Sequence, residues 1–264
     1  MKLLESPQLE ARDGACLALG QLKTAAAPAV PALRKCLQDQ DLWLRIKAAE
    51  ALAAIGEPAM EAVPELLTML AKGPTKEDPR GMEQRYLSFI VFGSILKKYP
   101  LDGVDRELLR KAVAAGLQNQ DGRARESIGG IYDKLTYEEI KPLLPAIRDA
   151  IATGAPSGIM FASGIRVAGL SLFAKHHIKE GIPLCFVVME PDKWGKGRRI
   201  PLCLDALKKY GAAAKPMIPK LKELEQQFAA QSKPKKPDPL VEAFRKTILE
   251  IENAKATVEL RSID

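Results

Sequence analysis

The sequence predicts an all-α fold, a solenoid of about six to seven stacked helix pairs. Two interleaved series predict it. Arg12, Arg45, Arg85, Arg125, Arg166 and Arg199 recur at intervals of 33, 40, 40, 41 and 33 residues, and each opens an apolar helical stretch. Out of phase with them runs an aliphatic residue followed by proline: Val30-Pro31, Val63-Pro64, Leu144-Pro145, Ile182-Pro183 and Ile218-Pro219. Composition agrees. Hydrophobic residues make up 47% of the chain but aromatics only 5%, so small and aliphatic side chains must build a core of closely approaching helices. A chain of 264 residues can bury a large core, and a stack needs no domain break to reach that length.

The segment Val30 to Ile55 defines the unit. Val30, Leu33 and Leu37 follow helical spacing, and Pro31 sits in the first turn, where its missing N–H costs nothing. Residues 38–41 form a polar turn able to cap the next helix. Ala48, Leu52 and Ile55 mark the inner face of that second helix, and Gly56 ends it. On this pattern first helices are expected near 30–37, 60–71, 104–117, 139–151, 181–189 and 214–229. Second helices are expected near 7–22, 43–55, 82–98, 123–135, 164–176 and 198–210. Residues 1–230 are then the solenoid, 231–238 a Pro/Lys linker, and 239–264 a final helix and tail that completes or caps the last repeat, with Asp238-Pro239 as its start signal. The array opens in mid-repeat, because Met1 to Leu4 match only the last turn of a first helix. The expectation is a cut from a longer chain.

Internal matches support the unit. Arg12, Ala15, Leu19 and Leu22 align with Arg45, Ala48, Leu52 and Ile55 at an offset of 33, and residues 117–125 echo 37–45. The shared pattern, Asp-x-x-x-Arg, Ala-Ala-x-Ala-Leu, Ile-Gly, then Val-Pro-x-Leu, resembles the HEAT repeat, in its bacterial HEAT-like or phycobilisome-lyase-type form. The resemblance is strong over 7–70 and 198–228, fair over 104–190 and weak over 72–100. It implies a right-handed α–α superhelix of the armadillo-like kind, with second helices on the concave face. It also implies a structural ladder: Arg12, Arg45, Arg85, Arg125, Arg166 and Arg199 would each bond an acidic or amide group in the turn of a neighbouring unit, with Asp39, Asp41, Asn119, Asp121 and Asp192 as acceptors.

The formal net charge is +7, and the excess is local. Between Lys193 and Lys222 lie nine basic residues against Asp205 alone, so this segment carries +8 and the rest of the chain sums to −1. Lys193, Trp194, Lys196, Arg198, Lys208, Lys209 and Lys215 are the candidate binding residues. An aromatic face, flexible glycines and cations together suit a phosphate or an acidic partner. The plainer reading is a solvated basic turn with Trp194 folded back onto the core, as Trp43 would be at the equivalent turn. The longer loops 73–81, 153–163 and 190–197 occupy one place in the repeat and should project from one edge.

Catalytic signals are lacking. Cys16, Cys36, Cys185 and Cys203 form no C-x-x-C pair, and each lies in an apolar stretch where a thiol behaves as a small hydrophobe. His176 and His177 point about 100° apart on a helix and cannot readily share a metal; they read as charge at a helix C-terminus. Iron-binding HEAT-like hydroxylases use His-Glu dipeptides, which this chain lacks. The expectation is therefore no metal, no cofactor and no enzymatic activity. The function expected from the fold is a scaffold that binds another protein, or a domain of a longer parent chain, through the concave face and one loop edge. The alternative is a nucleic-acid-binding protein using residues 193–222, like the alkylated-base glycosylases of this superfold in charge. No apolar run spans a membrane, and no secretory leader is evident; if complete, the chain would be expected in the cytoplasm.

Overall fold

In the computed structural model, residues 1–76, 78, 81–154, 162–232 and 238–263 are described. They form two compact units, one containing Met1–Ala146, the other Ile147–Gly154 together with the residues from Ser163 onward. Both are all-α; among the described residues the only extended pairing is a single parallel bridge between Ile178 and Arg261.

The first unit contains α1 (Leu9–Leu22), α2 (Val30–Cys36), α3 (Leu42–Ile55), α4 (Val63–Lys72) and α5 (Met82–Ile90). A π-helical turn, Val91–Ile95, joins α5 to α6 (Leu96–Lys98). Then follow α7 (Arg106–Leu117), α8 (Gly122–Ile128) and α9 (Tyr137–Ile140). Local chemistry sets these boundaries. The Asp41 carboxylate accepts from the Leu44 N–H at 2.8 Å and starts α3. Gly56 ends it at φ +90°, and any Cβ there would stand 2.6 Å from the Tyr99 hydroxyl. Asp105 and Asp121 cap α7 and α8 in the same manner, and Thr136 with Glu139 forms a capping box on α9.

Helices pack in two layers. In one, α1 lies on α3, α3 on α5 and α5 on α8; in the other, α4 lies on α7. Within pairs, α2 packs on α3, α4 on α5 and α7 on α8. Leu33, Leu37, Leu52, Ile55, Val63 and Leu66 are buried between the layers, as the repeat phase requires. Leu22 and Leu19 depart from that expectation: Leu22 is 59% exposed and Leu19 half-buried. On its other flank α1 has only the short 3-10 turn Lys2–Glu5, so Leu3, Leu17 and Leu22 keep an apolar face open.

The second unit holds the remainder of α10 (Leu144–Ala152), then α11 (Ala162–Lys175), α12 (Gly181–Met189), α13 (Lys196–Lys208), α14 (Ile218–Gln231) and α15 (Pro239–Asn253). Here α12 packs on α13, α14 on α15 and α13 on α15. Gly169 lets α11 approach α10 closely, since a Cβ would come within 2.5 Å of Ile151. Asp238 caps α15 by accepting from the Leu240 N–H at 2.9 Å, so the sequence start signal holds. Of the expected linker, residues 233–237 lie outside the described residues. After α15 the chain returns to α11: the Arg261 N–H donates to the His177 carbonyl and the Lys179 N–H to the Arg261 carbonyl, both at 2.9 Å. His176 follows the last turn of α11. Burial lowers its pKa, and Lys175, Arg261 and His177 lower it further.

All four cysteines are buried and unpaired. Cys16 and Cys36 are hydrogen-bonded to each other. That bond and burial push the Cys16 thiol up, while Cys36, on the receiving side, is pulled down to about 7. Cys185 and Cys203 lie on the packed pair α12 and α13, and burial raises both. Thiolate is the reactive species, and burial disfavours it at Cys16, Cys185 and Cys203; Cys36 is pulled toward thiolate but is itself buried, so native protein should react slowly with a thiol reagent at all four. Labelling followed by peptide mass spectrometry checks this; rapid reaction at any site with the fold intact would contradict its place in the core.

Candidate functional site

Arg12, Arg45, Arg85, Arg125 and Arg199 stand at one structural position, four residues after the residue that precedes each of their second helices. From there a guanidinium reaches back across the turn to carbonyls that the preceding chain leaves unsatisfied. Arg12 donates to the Ser6 carbonyl at 2.9 Å and pairs with Asp39 of the next turn at 3.4 Å. Arg45 donates to the Asp39 and Gln40 carbonyls at 2.8 and 2.9 Å, and to Glu83 on α5. Arg125 donates to the Asn119 carbonyl at 2.6 Å, and burial lowers its pKa.

In the second unit the ladder is deepest. Arg166 donates to the Ile151 carbonyl at 2.7 Å and pairs with Glu190 at 3.1 Å. Arg199 donates to the carbonyls of Val188 (2.8 Å), Met189 (3.3 Å), Trp194 (3.0 Å) and Glu190 (3.1 Å), with the Glu190 carboxylate at 3.7 Å. Both arginines are buried. Burial alone would raise the Glu190 carboxyl, but Lys193 and Arg166 hold it below its ordinary value.

Arg85 departs from the ladder. Asp78 caps α5 through the Met82 and Glu83 N–H groups, and Gly81 enters the helix at φ +65°. This start turns Gln84, not Arg85, toward α4, where the Gln84 amide donates to the Met69 carbonyl at 3.0 Å. The Arg85 guanidinium instead lies 5.3 Å from the centre of the Tyr86 ring.

The basic segment is largely partnered. Lys193 pairs with Glu190 at 3.1 Å, Lys208 with Asp205 at 2.7 Å and Glu250 at 3.8 Å, and Lys222 with Glu252 at 2.8 Å. The Lys196 and Lys220 ammonium groups lie over the rings of Phe228 and Phe186 at 5.1 and 4.8 Å. Lys209 approaches the Ser171 hydroxyl at 3.4 Å. Arg198 and Lys215 are exposed. Glu190, Glu250 and Glu252 come from outside the +8 window, so the field over this surface is weaker than the window alone implies. Trp194 is not folded onto the core; it is 91% exposed.

A second feature lies on the second-helix layer of the first unit. Trp43 on α3 is half-exposed and meets Tyr86 on α5 edge-on, with ring centres 5.8 Å apart. One turn on, Phe89 is 65% exposed. Beyond it a groove of about 460 Å³ opens between α5–α6 and α8, with Phe89 and Tyr86 on one wall and Arg123 and Ser127 on the other. Gly93 of the π-helical turn and Gly130, where α8 gives way to a 3-10 turn, also line it.

Residues 1–82 match the family model for HEAT repeats. This stretch carries HEAT repeats. A search of curated proteins returns no match. Arg12, Arg45 and Arg166 pair with Asp39, Glu83 and Glu190, Arg125 donates to a backbone carbonyl, and Arg85 lies by the Tyr86 ring. The acceptor in the 190–197 loop is Glu190 rather than Asp192, and Glu83 supplies the carboxylate to Arg45. Neither could be singled out by spacing, because each depends on how the turn before the second helix is built. The loop 153–163 falls mostly outside the described residues, as do Glu77, Pro79 and Arg80 of the loop 73–81. Among the described residues no three His, Cys, Asp or Glu side chains cluster as a metal would need, and no helix is long and apolar enough to cross a membrane.

Proposed function

We propose that this HEAT-repeat chain is a non-enzymatic scaffold that binds another protein, or another domain of a longer parent chain, through its layer of second helices and one loop edge. HEAT repeats are commonly protein-interaction scaffolds. The observation that carries the reading is the run Trp43, Tyr86 and Phe89 on that layer. Aromatic and arginine side chains dominate binding energy at protein interfaces, and large aromatics left open on a polar surface mark such contacts. The test recovers bound protein from nuclease-treated extract of the source cells, with wild type and with a Trp43→Ser/Phe89→Ser variant. Both residues are solvent-facing, so the variant should melt like the wild type. Expected is a stoichiometric partner lost only from the variant; equal recovery by both would overturn the assignment of the face.

The second reading places a nucleic-acid backbone along Lys193, Lys196, Arg198 and Lys209. Exposed Trp194 beside these cations favours it, since aromatic faces and cations together hold single strands. From Lys196 to Lys208 such a ligand would run ~18 Å along α13. Binding would be salt-sensitive and sequence-tolerant. The scaffold reading expects no retention of DNA or RNA in a low-salt gel shift. Retention abolished by replacing those four residues with glutamine would establish the alternative.

A further inference from the structure

We infer that the groove between α5–α6 and α8 is a docking site for an acidic linear segment of a partner protein, one that inserts a bulky apolar side chain beside Phe89 and sets carboxylates against Arg85 and Arg123. The inference rests on the scaffold reading and gives the partner's chemistry.

Three departures from the repeat converge on this place. The first is Arg85, which stands at the ladder position yet lies on the Tyr86 ring at the groove wall, because Gln84 has taken over the carbonyl of Met69. Redirecting such a cation toward a ligand breaks no ladder bond to a carbonyl. The second is the π-helical turn Val91–Ile95, found where the repeat predicts uninterrupted helix. Turns of this kind are rare and recur at functional sites. The third is the pair Gly93 and Gly130. A Cβ on Gly130 would stand 3.1 Å from the Phe92 carbonyl, and one on Gly93 would stand 3.4 Å from the Phe89 ring. The two glycines keep side chains out of the floor, and the space they leave is lined by the face of Phe89. Local rules broken together at one site are the usual mark of function.

The lining specifies the occupant. Arg85, Lys97 and Arg123 are three cations around one exposed aromatic, against the single acid Glu126. The volume of about 460 Å³ lies in the range that accepts a small group of side chains rather than a domain. An apolar anchor fits beside Phe89, and guanidinium groups bind carboxylates in a bidentate fork. A phosphodiester strand fits less well. Glu126 on the rim opposes a continuous run of phosphates, while separate carboxylates can avoid it.

Three fluorescent hexapeptides test the proposal by anisotropy on the full chain: Asp-Glu-Leu-Phe-Asp-Glu, Asp-Glu-Gly-Ser-Asp-Glu and Lys-Lys-Leu-Phe-Lys-Lys. The first should bind saturably. Losing the anchor or reversing the charge should weaken binding at least tenfold. Phe89→Ser and Arg85→Glu/Arg123→Glu should each weaken the first peptide at least tenfold, and the charge-reversed variant should gain affinity for the lysine peptide. A wild-type-like melt of each variant separates lost binding from lost fold. Absence of saturable binding of the first peptide would overturn the proposal, as would tighter binding of an oligothymidine or oligouridine at the groove. Binding weakened by Arg198→Gln but not by the groove variants would overturn it too, while leaving the scaffold reading in place. Failure of the scaffold reading itself appears in the separate partner-recovery experiment.

Discussion

Arg199→Ala should destabilise the second unit by about 3–5 kcal/mol, the cost of breaking a buried ionic contact by removing one partner. Arg199 is buried and holds four backbone carbonyls and the Glu190 carboxylate at once. Removing it strands carbonyls at the end of α12 in a space that a methyl group cannot fill. Glu190 would keep Arg166 and Lys193, so the carboxylate itself is not orphaned and the effect should not exceed this range. Arg199→Lys should recover only part of the loss, because an ammonium is a point charge and cannot reach several acceptors in a planar fork. Urea melts followed by circular dichroism give the comparison. A loss below 1 kcal/mol for the alanine variant would mean that the ladder contributes little to folding.

Leu52→Ala should cost ~2–5 kcal/mol, the range for a leucine deleted from a packed core. Leu52 is fully buried on α3, which packs against α1, α2 and α5. Helices in contact on several sides cannot collapse together into the vacated volume, which places the expectation in the upper half of the range. The same substitution at Leu22, which the repeat aligns with Ile55, removes a side chain that is mostly in water and should cost far less. A Leu52→Ala loss under 0.5 kcal/mol in a denaturant melt would show the helical phase to be wrong.

What the sequence made legible divides along physical lines. Helix starts and stops were readable where a cap decides them, as at Asp41, Gly56 and Asp238, because a cap is a local event between residues a few positions apart. Burial of Leu33, Leu52 and Leu66 was readable because a 3.6-residue period is enough to identify a face. Exposure of Leu22 was not, since periodicity marks a face as apolar without saying whether another helix covers it. The arginine ladder was readable as a spacing, but its carboxylates were not. Glu190 and Glu83 act through turns whose geometry has no sequence period. Arg85 failed for the most local of reasons: Asp78 and Gly81 start α5 so that the neighbouring glutamine does the work. The groove follows from that shift, from a π-helical turn that hydrophobic spacing does not reveal, and from two glycines on different helices whose proximity is purely tertiary.

The central claim is that the second-helix layer of the first unit is the binding face. Site-specific photo-crosslinking tests it most directly, with benzoylphenylalanine placed in turn at Phe89, on that layer, and at Lys35, exposed on α2, a first helix. The account predicts a protein adduct from position 89 and none from position 35, with the adduct suppressed by excess of the acidic apolar hexapeptide. Adducts from position 35 alone, or a nucleic-acid adduct at either position, would contradict it.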